Sequence, residues 1–231
     1  MAVQICWICG DEAKSGEHKI KRSDLRDVFE QPTQAAPLFF NSTKFKNRRV
    51  GSLDNRLLKS PALICEMCNN NRSQPYDKAW EHFSAWLRNN HHSTEVGMAV
   101  RANRAFPYNT AKLMLQVHLY FVKLFGCHIK EANAAIDLVK FSSAFLTGKA
   151  HTNVYLKFGR GPILPKGIAV GNSDMSMIYD DKKCVMATWI YYVDWMDVMV
   201  MYIEDGQRRE GIKNSWHPRF GTNKIIISDF K

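Results

Sequence analysis

Acidic residues number only 22 against 32 lysines and arginines, a formal charge of +10 and a pI near 9.3. That imbalance argues against an acidic solvating tail and makes a polyanion the first partner to test. No apolar run is both long and uncharged enough to cross a membrane: the most apolar stretch, 186–203, carries Asp194 and Asp197 and alternates as a strand pair does. The opening residues Met1-Ala2-Val3-Gln4-Ile5-Cys6 show neither a positive n-region nor a small-residue cleavage site, so no secretory signal is expected. A reducing, cytoplasmic setting follows. There is no internal repeat, low-complexity tract, Gly-x-Ser-x-Gly elbow, Walker loop or dinucleotide fingerprint. Gly159-Arg160-Gly161 has two glycines of the last but no following helix.

What is present suffices for a folded chain of one or two domains: 231 residues, 45% hydrophobic and 23% charged. The expected class is α+β. A helix is predicted over 75–88, with Pro75 in its first turn, Asp77 at its positive end, and Ala79, Trp80, Phe83 and Leu87 at helical spacing. Leu113, Met114, Val117, Tyr120, Phe121 and Leu124 mark another over 109–125, with Asn109 or Thr110 as its cap and Gly126 as its stop. A third, over about 130–146, completes a helical hairpin. Beyond Gly148 the texture turns to alternating Val, Ile, Tyr, Met and Trp, which predicts strands over 153–158, 167–179, 184–193, 196–204 and 224–228. Turn signals at Gly159-Arg160-Gly161-Pro162, Asp180-Asp181-Lys182 and Glu204-Asp205-Gly206 favour antiparallel hairpins. A boundary near position 93 divides the chain into 1–93 and a β-rich part, 94–231.

Four of the six cysteines form two Cys-x-x-Cys pairs, Cys6/Cys9 and Cys65/Cys68. A two-residue gap lets two thiolates converge on one ion, and a second pair completes the tetrahedral four-sulfur set that zinc prefers. A redox pair is the alternative, but such motifs rarely come twice and no strand-helix context follows Cys9. Cys127 and Cys184 stand alone in apolar surroundings and read as small buried hydrophobes.

Beside the knuckles lie Gly16-Glu17-His18-Lys19-Ile20 and, directly after Cys68, Asn69-Asn70-Asn71-Arg72-Ser73-Gln74-Pro75. This order, Cys-x-x-Cys, acidic-His-x-Ile, then Cys-x-x-Cys-Asn-x-x-Arg leading into a helix, resembles the zinc-ribboned HNH endonucleases over about residues 5–90. The resemblance implies a ββα-metal finger for 1–93 with zinc in a structural role, a catalytic Mg²⁺ or Mn²⁺, and DNA, double-stranded by preference, as the substrate. It implies that His18 is the general base, Glu17 the acidic metal ligand, Asn69 the last letter of the signature and a ligand of the same ion, and Arg72 a phosphate contact. The last letter is Asn, as in the HNN subgroup. For the middle letter Ser60 and Pro61 occupy the usual stretch, and Asn55 is the nearest candidate.

The residue types suit phosphodiester cleavage on their own terms. A neutral imidazole can take a proton from water, and Glu17 and Asn69 offer oxygens to a hard divalent ion. The rival class is a non-catalytic zinc module that binds nucleic acid or protein. A third reading is a nuclease effector controlled through residues 94–231, by a regulatory partner or a second copy of the chain. The run Lys44-Phe45-Lys46-Asn47-Arg48-Arg49 is either a solvated loop face or a phosphate contact. His82 is expected to face solvent, Asp77 to serve the helix start, His118 to be a boundary or core residue, and Trp189, Tyr191, Tyr192 and Trp195 to pack the sheet.

Overall fold

The computed structural model describes residues 3–161, 170–209, 211–221 and 223–230. Its first part is built on two short strands, β1 (Ser15–His18) and β4 (Lys59–Ile64), paired antiparallel with Ser15 opposite Ile64 and His18 opposite Lys59. Between them the chain makes helix α1 (Arg22–Phe29) and a hairpin of β2 (Leu38–Phe40) and β3 (Arg48–Val50). After β4 a π-turn, Met67–Arg72, leads into helix α2 (Gln74–Asn89), so two strands and a helix follow in ββα order. Pro75 and Asp77 sit in the first turn of α2, where a missing N–H costs nothing and a negative charge meets the positive helix end. Ala79, Trp80, Phe83 and Leu87 are buried along one face.

Next come strand β5 (Ala99–Arg101), the short helix α3 (Ala102–Ala105), and helices α4 (Thr110–Ala132) and α5 (Leu138–Thr147). Every residue of α4 from Val117 to Ile129 is buried, because the helix is enclosed by α2, α5 and β4. Here two expectations are corrected. Gly126 does not end the helix; it lies within it because a Cβ there would overlap the Trp7 indole. The stop is Asn133, in the left-handed conformation at φ 50°, and α5 starts only at Leu138, where Asp137 accepts from the Val139 N–H at 2.9 Å.

The remaining strands are β6 (Val154–Arg160), β7 (Val170–Asn172), β8 (Ser176–Asp180), β9 (Lys183–Val193), β10 (Met196–Ile203) and β11 (Lys224–Asp229). They form a seven-stranded sheet in the order β5-β11-β6-β10-β9-β7, with β8 also on β9. Pairing is antiparallel except between β11 and β6, whose Ile227 and Phe158 are in parallel register. Stretch 186–203 is thus the β9–β10 hairpin, turned at Asp194 with φ 58°. It is strongly apolar because β10, between two neighbours, is almost wholly buried. No described helix is long and apolar enough to cross a membrane. Positions 167–169 of an expected strand and Pro162 of an expected turn lie outside the described residues.

The fold is α+β, and residues on both sides of position 93 share one core. Trp80 of α2 stacks with Tyr120 and meets Phe121 of α4 and Tyr191 of β9 edge-on, at centroid distances of 5.5, 4.7 and 5.6 Å. Trp189 and Tyr191 are fully buried in the sheet, Cys184 is buried in the same core, and Trp195 lies under the Arg160 guanidinium at 4.9 Å.

Candidate functional site

The four cysteines meet at the base of the β1–β4 pair. Their sulfurs all lie within 4.8 Å of one another, with Cys9 and Cys65 3.4 Å apart. A tetrahedral zinc with Zn–S bonds of about 2.3 Å needs sulfurs roughly 3.8 Å apart, so this cluster can hold a metal ion such as zinc. Donors already point at the sulfurs: the Cys68 N–H reaches Cys65 Sγ at 3.4 Å, and Arg72 Nη1 reaches Cys68 Sγ at 3.4 Å. The cluster leans on the helical hairpin. Cys6, Cys65 and Cys68 share a small core with Ile8, Ile64, Cys127 and Phe145, and Trp7 lies against Gly126.

Just above the cluster is a cleft of about 370 Å³, lined by Glu17, His18, Lys21, Asn69, Asp77 and Glu81 among others. Glu17 and His18 come from the end of β1, Asn69 from the π-turn, and Asp77 from the first turn of α2. The four-cysteine cluster ties these segments together, since Cys65 directly follows β4, the partner of β1, and Cys68 immediately precedes Asn69.

His18 is half-buried. Its Nε2–H donates to the Leu53 carbonyl at 3.0 Å, which places the lone pair on Nδ1. Burial, reinforced by the charges of Lys59 and Arg22, holds its imidazole below the ordinary value, so the ring is neutral at pH 7. The accepting carbonyl is set by its loop: the Asn55 N–H donates to the Ser52 carbonyl at 3.2 Å, and Asn55 Oδ1 accepts from the Leu57 N–H at 3.0 Å. Asn55 therefore braces the loop that orients His18 rather than touching the ring itself.

Asn69 Nδ2 donates to Ser15 Oγ at 2.7 Å, so of the two amide atoms it is the oxygen that could ligate an ion. Glu17 is buried, and burial pushes its carboxyl up while the ammonium of Lys123 opposes the shift. Lys123, on α4, is fully buried with Nζ 3.1 Å from Glu17 Oε2 and 3.0 Å from Asp77 Oδ1. Burial alone would lower its amine, and the two carboxylates more than reverse that, so the amine stays protonated. Lys21 approaches Asp77 and Glu81 from the cleft side, at 3.5 and 3.3 Å. Glu17, Asn69 and Asp77 thus put side-chain oxygens on the wall of one cleft, the donor type a hard divalent cation would need.

Glu17, His18 and Asn69 thus come together as the sequence suggests, whereas Arg72 does not line the cleft. Its guanidinium turns to the Cys68 sulfur, the nearer partner for a cation. His82 is exposed, with Nε2 donating to the Ala105 carbonyl at 2.7 Å. Asp77, read from sequence as a helix-start charge, also belongs to the cleft, and Lys21 and Lys123 are additions. The available signal for Lys123 was a lone charge inside the apolar run Phe121-Val122-Lys123-Leu124-Phe125. Comparison with known family models, curated proteins and solved structures returns no match for this chain.

Proposed function

We propose that this chain is a metal-dependent endonuclease that hydrolyses phosphodiester bonds in DNA. The observation that carries the reading is the meeting of a neutral, oriented His18 with oxygens of Glu17 and Asn69 on one cleft, from segments some fifty residues apart. In this reading His18 Nδ1 takes the proton from the attacking water while the Leu53 carbonyl holds the ring. Mg²⁺ or Mn²⁺ on Glu17 and Asn69 would supply charge stabilisation at the scissile phosphate and the leaving 3′ oxygen. Zinc on the four cysteines is structural, tying β1 to α2 where so short a strand pair has little core of its own. The exposed cations Lys44, Lys46, Arg48 and Arg49 of the β2–β3 hairpin are the surface for the DNA backbone.

A second reading, a non-catalytic zinc module that binds nucleic acid or protein, is favoured by one observation. Glu17 already has a buried partner in Lys123. Plasmid cleavage by the zinc-loaded protein, with Mg²⁺, Mn²⁺ or EDTA, separates the two. The nuclease reading expects nicked or linear product from the parent, none with EDTA, and at least a hundredfold slower cutting by His18→Ala with DNA binding retained. Binding without cutting in every divalent ion would leave the module.

A further inference from the structure

The side chains that line the cleft carry three acids, Glu17, Asp77 and Glu81, against two bases, Lys21 and Lys78. Their formal charge is −1, and His18 adds none. Lys123 stands behind this wall with no exposure to solvent, bonded to both Glu17 and Asp77, and brings the balance to zero. A lysine is a costly choice for a fully buried helical position among Phe121, Val122, Leu124 and Phe125, where an apolar side chain would pack without desolvation. It can touch neither substrate nor a bound ion. Apart from the Tyr120 ring, 5.8 Å from its Nζ, it acts on the cleft through the two carboxylates it holds, one of which is the ligand assigned to the catalytic cation.

We infer that Lys123 is a positioning residue of this cleft, whose ammonium fixes the Glu17 and Asp77 carboxylates and, as an internal counter-charge, keeps the hold on a divalent cation weak until a phosphate is present. This rests on the reading of Glu17 as a metal ligand. A divalent ion entering the cleft has to share Glu17 with a fixed positive charge, and at separations of a few ångströms that repulsion is worth about tenfold or more in affinity even in a well-screened site. The ion is then held securely only when the negative charge of a phosphodiester joins the site, which couples metal occupancy to DNA binding.

The test is calorimetric titration of Mn²⁺ into the zinc-loaded full chain without nucleic acid. Mn²⁺ competes poorly for thiolates, so the four-cysteine cluster does not contribute. Titrated at about pH 8, so that loss of the ammonium does not simply leave Glu17 protonated, Lys123→Met should bind Mn²⁺ about tenfold more tightly than the parent, Lys123→Arg should bind as the parent does, and adding Glu17→Gln to Lys123→Met should abolish the gain. Equal or weaker binding by a folded Lys123→Met protein, or no Mn²⁺ site in either protein, overturns the inference. Should Lys123→Met fail to fold, Asp77→Asn/Lys123→Met is compared with Asp77→Asn alone. Tighter binding by the double variant is expected, and equal binding overturns the idea. A parent that binds Mn²⁺ but cuts nothing would remove the nuclease reading and leave this inference standing. A parent that cuts DNA while Lys123→Met binds Mn²⁺ unchanged would do the reverse.

Discussion

The carboxylate of Asp24 ties three elements together just behind the cleft. Its side chain is fully buried on α1 and accepts from Trp80 Nε1 at 2.8 Å, Ser84 Oγ at 2.8 Å and Tyr191 Oη at 2.6 Å, while Tyr191 in turn accepts from the Lys21 N–H at 3.0 Å. Burial pushes the Asp24 carboxyl up and the donors from Tyr191, Ser84 and Trp80 hold it down, so the group works as an anchor for α1 against α2 and β9. Removing it leaves buried donors with no acceptor. Asp24→Ala should therefore cost roughly 3–5 kcal/mol in urea unfolding at pH 7, and a loss under about 1 kcal/mol would show that the network carries little stability. At this scale the sequence was uneven. The cysteine pairs were legible because a fixed short spacing is itself the geometry of a metal knuckle. Asp24 and Lys123 were not, because a buried charge is justified only by partners that arrive from distant segments, here 167 residues away for Tyr191 and 106 for Glu17.

Among the elements, β2–β3 stands apart in having little apolar cover and much charge. Lys44, Lys46, Arg48 and Arg49 are exposed, and none is in an ion pair among the described residues. Arg48 lies over the Phe45 ring at 5.4 Å, and Arg49 Nη2 donates to the Gln34 carbonyl at 3.1 Å. If this hairpin meets the DNA backbone, replacing all four cations with Gln should weaken binding at least tenfold in moderate salt. The slope of log K against log salt should fall by up to about 3.6, at about 0.9 per phosphate contact. An unchanged slope in a fluorescence-anisotropy titration would return the run to a solvated loop. Helix α2 and strands β9 and β11 lie close to where periodicity puts them, because each shows one face to a large core, and β10 does so as a continuous apolar run, because it is buried almost throughout. Helix α4 runs past its apparent stop for a reason local rules cannot supply. Glycine ordinarily ends a helix, but Gly126 is needed mid-helix for the close approach of Trp7, a contact made across the chain.

Across the whole molecule, the shared core makes the cleft depend on the sheet, and the sheet carries a second buried feature that sets how the protein responds to acid. His118, His151 and His217 lie together beneath the start of β6, and each ring has a nitrogen that accepts a backbone N–H. His118 Nε2 accepts from His151, His151 Nδ1 from Asn153 and His217 Nδ1 from Arg219, at 3.2, 3.2 and 3.1 Å. Protonation would break each of those bonds as well as bury a charge. Burial accordingly lowers all three, to about 4 for His151 and His217 and well below the ordinary value for His118, and it lowers His128, against Trp189, to about 3. In the unfolded chain these imidazoles protonate near pH 6.5. A base whose folded pKa is depressed contributes stability that is complete above the unfolded value and is lost as pH falls toward the folded one. Each histidine should therefore remove up to about 1.4 kcal/mol per pH unit from the urea-unfolding stability of the zinc-saturated protein below about pH 6.5, a decline that Asp197, whose buried carboxyl is pushed up to about 6, partly offsets. His151→Gln should make that decline shallower by about one proton's worth of slope. The zinc thiolates also protonate in acid, but they do so equally in both proteins, so the difference between the two slopes isolates the imidazole. Parallel curves for parent and variant between pH 6.5 and 5 would mean that His151 takes up its proton without unfolding.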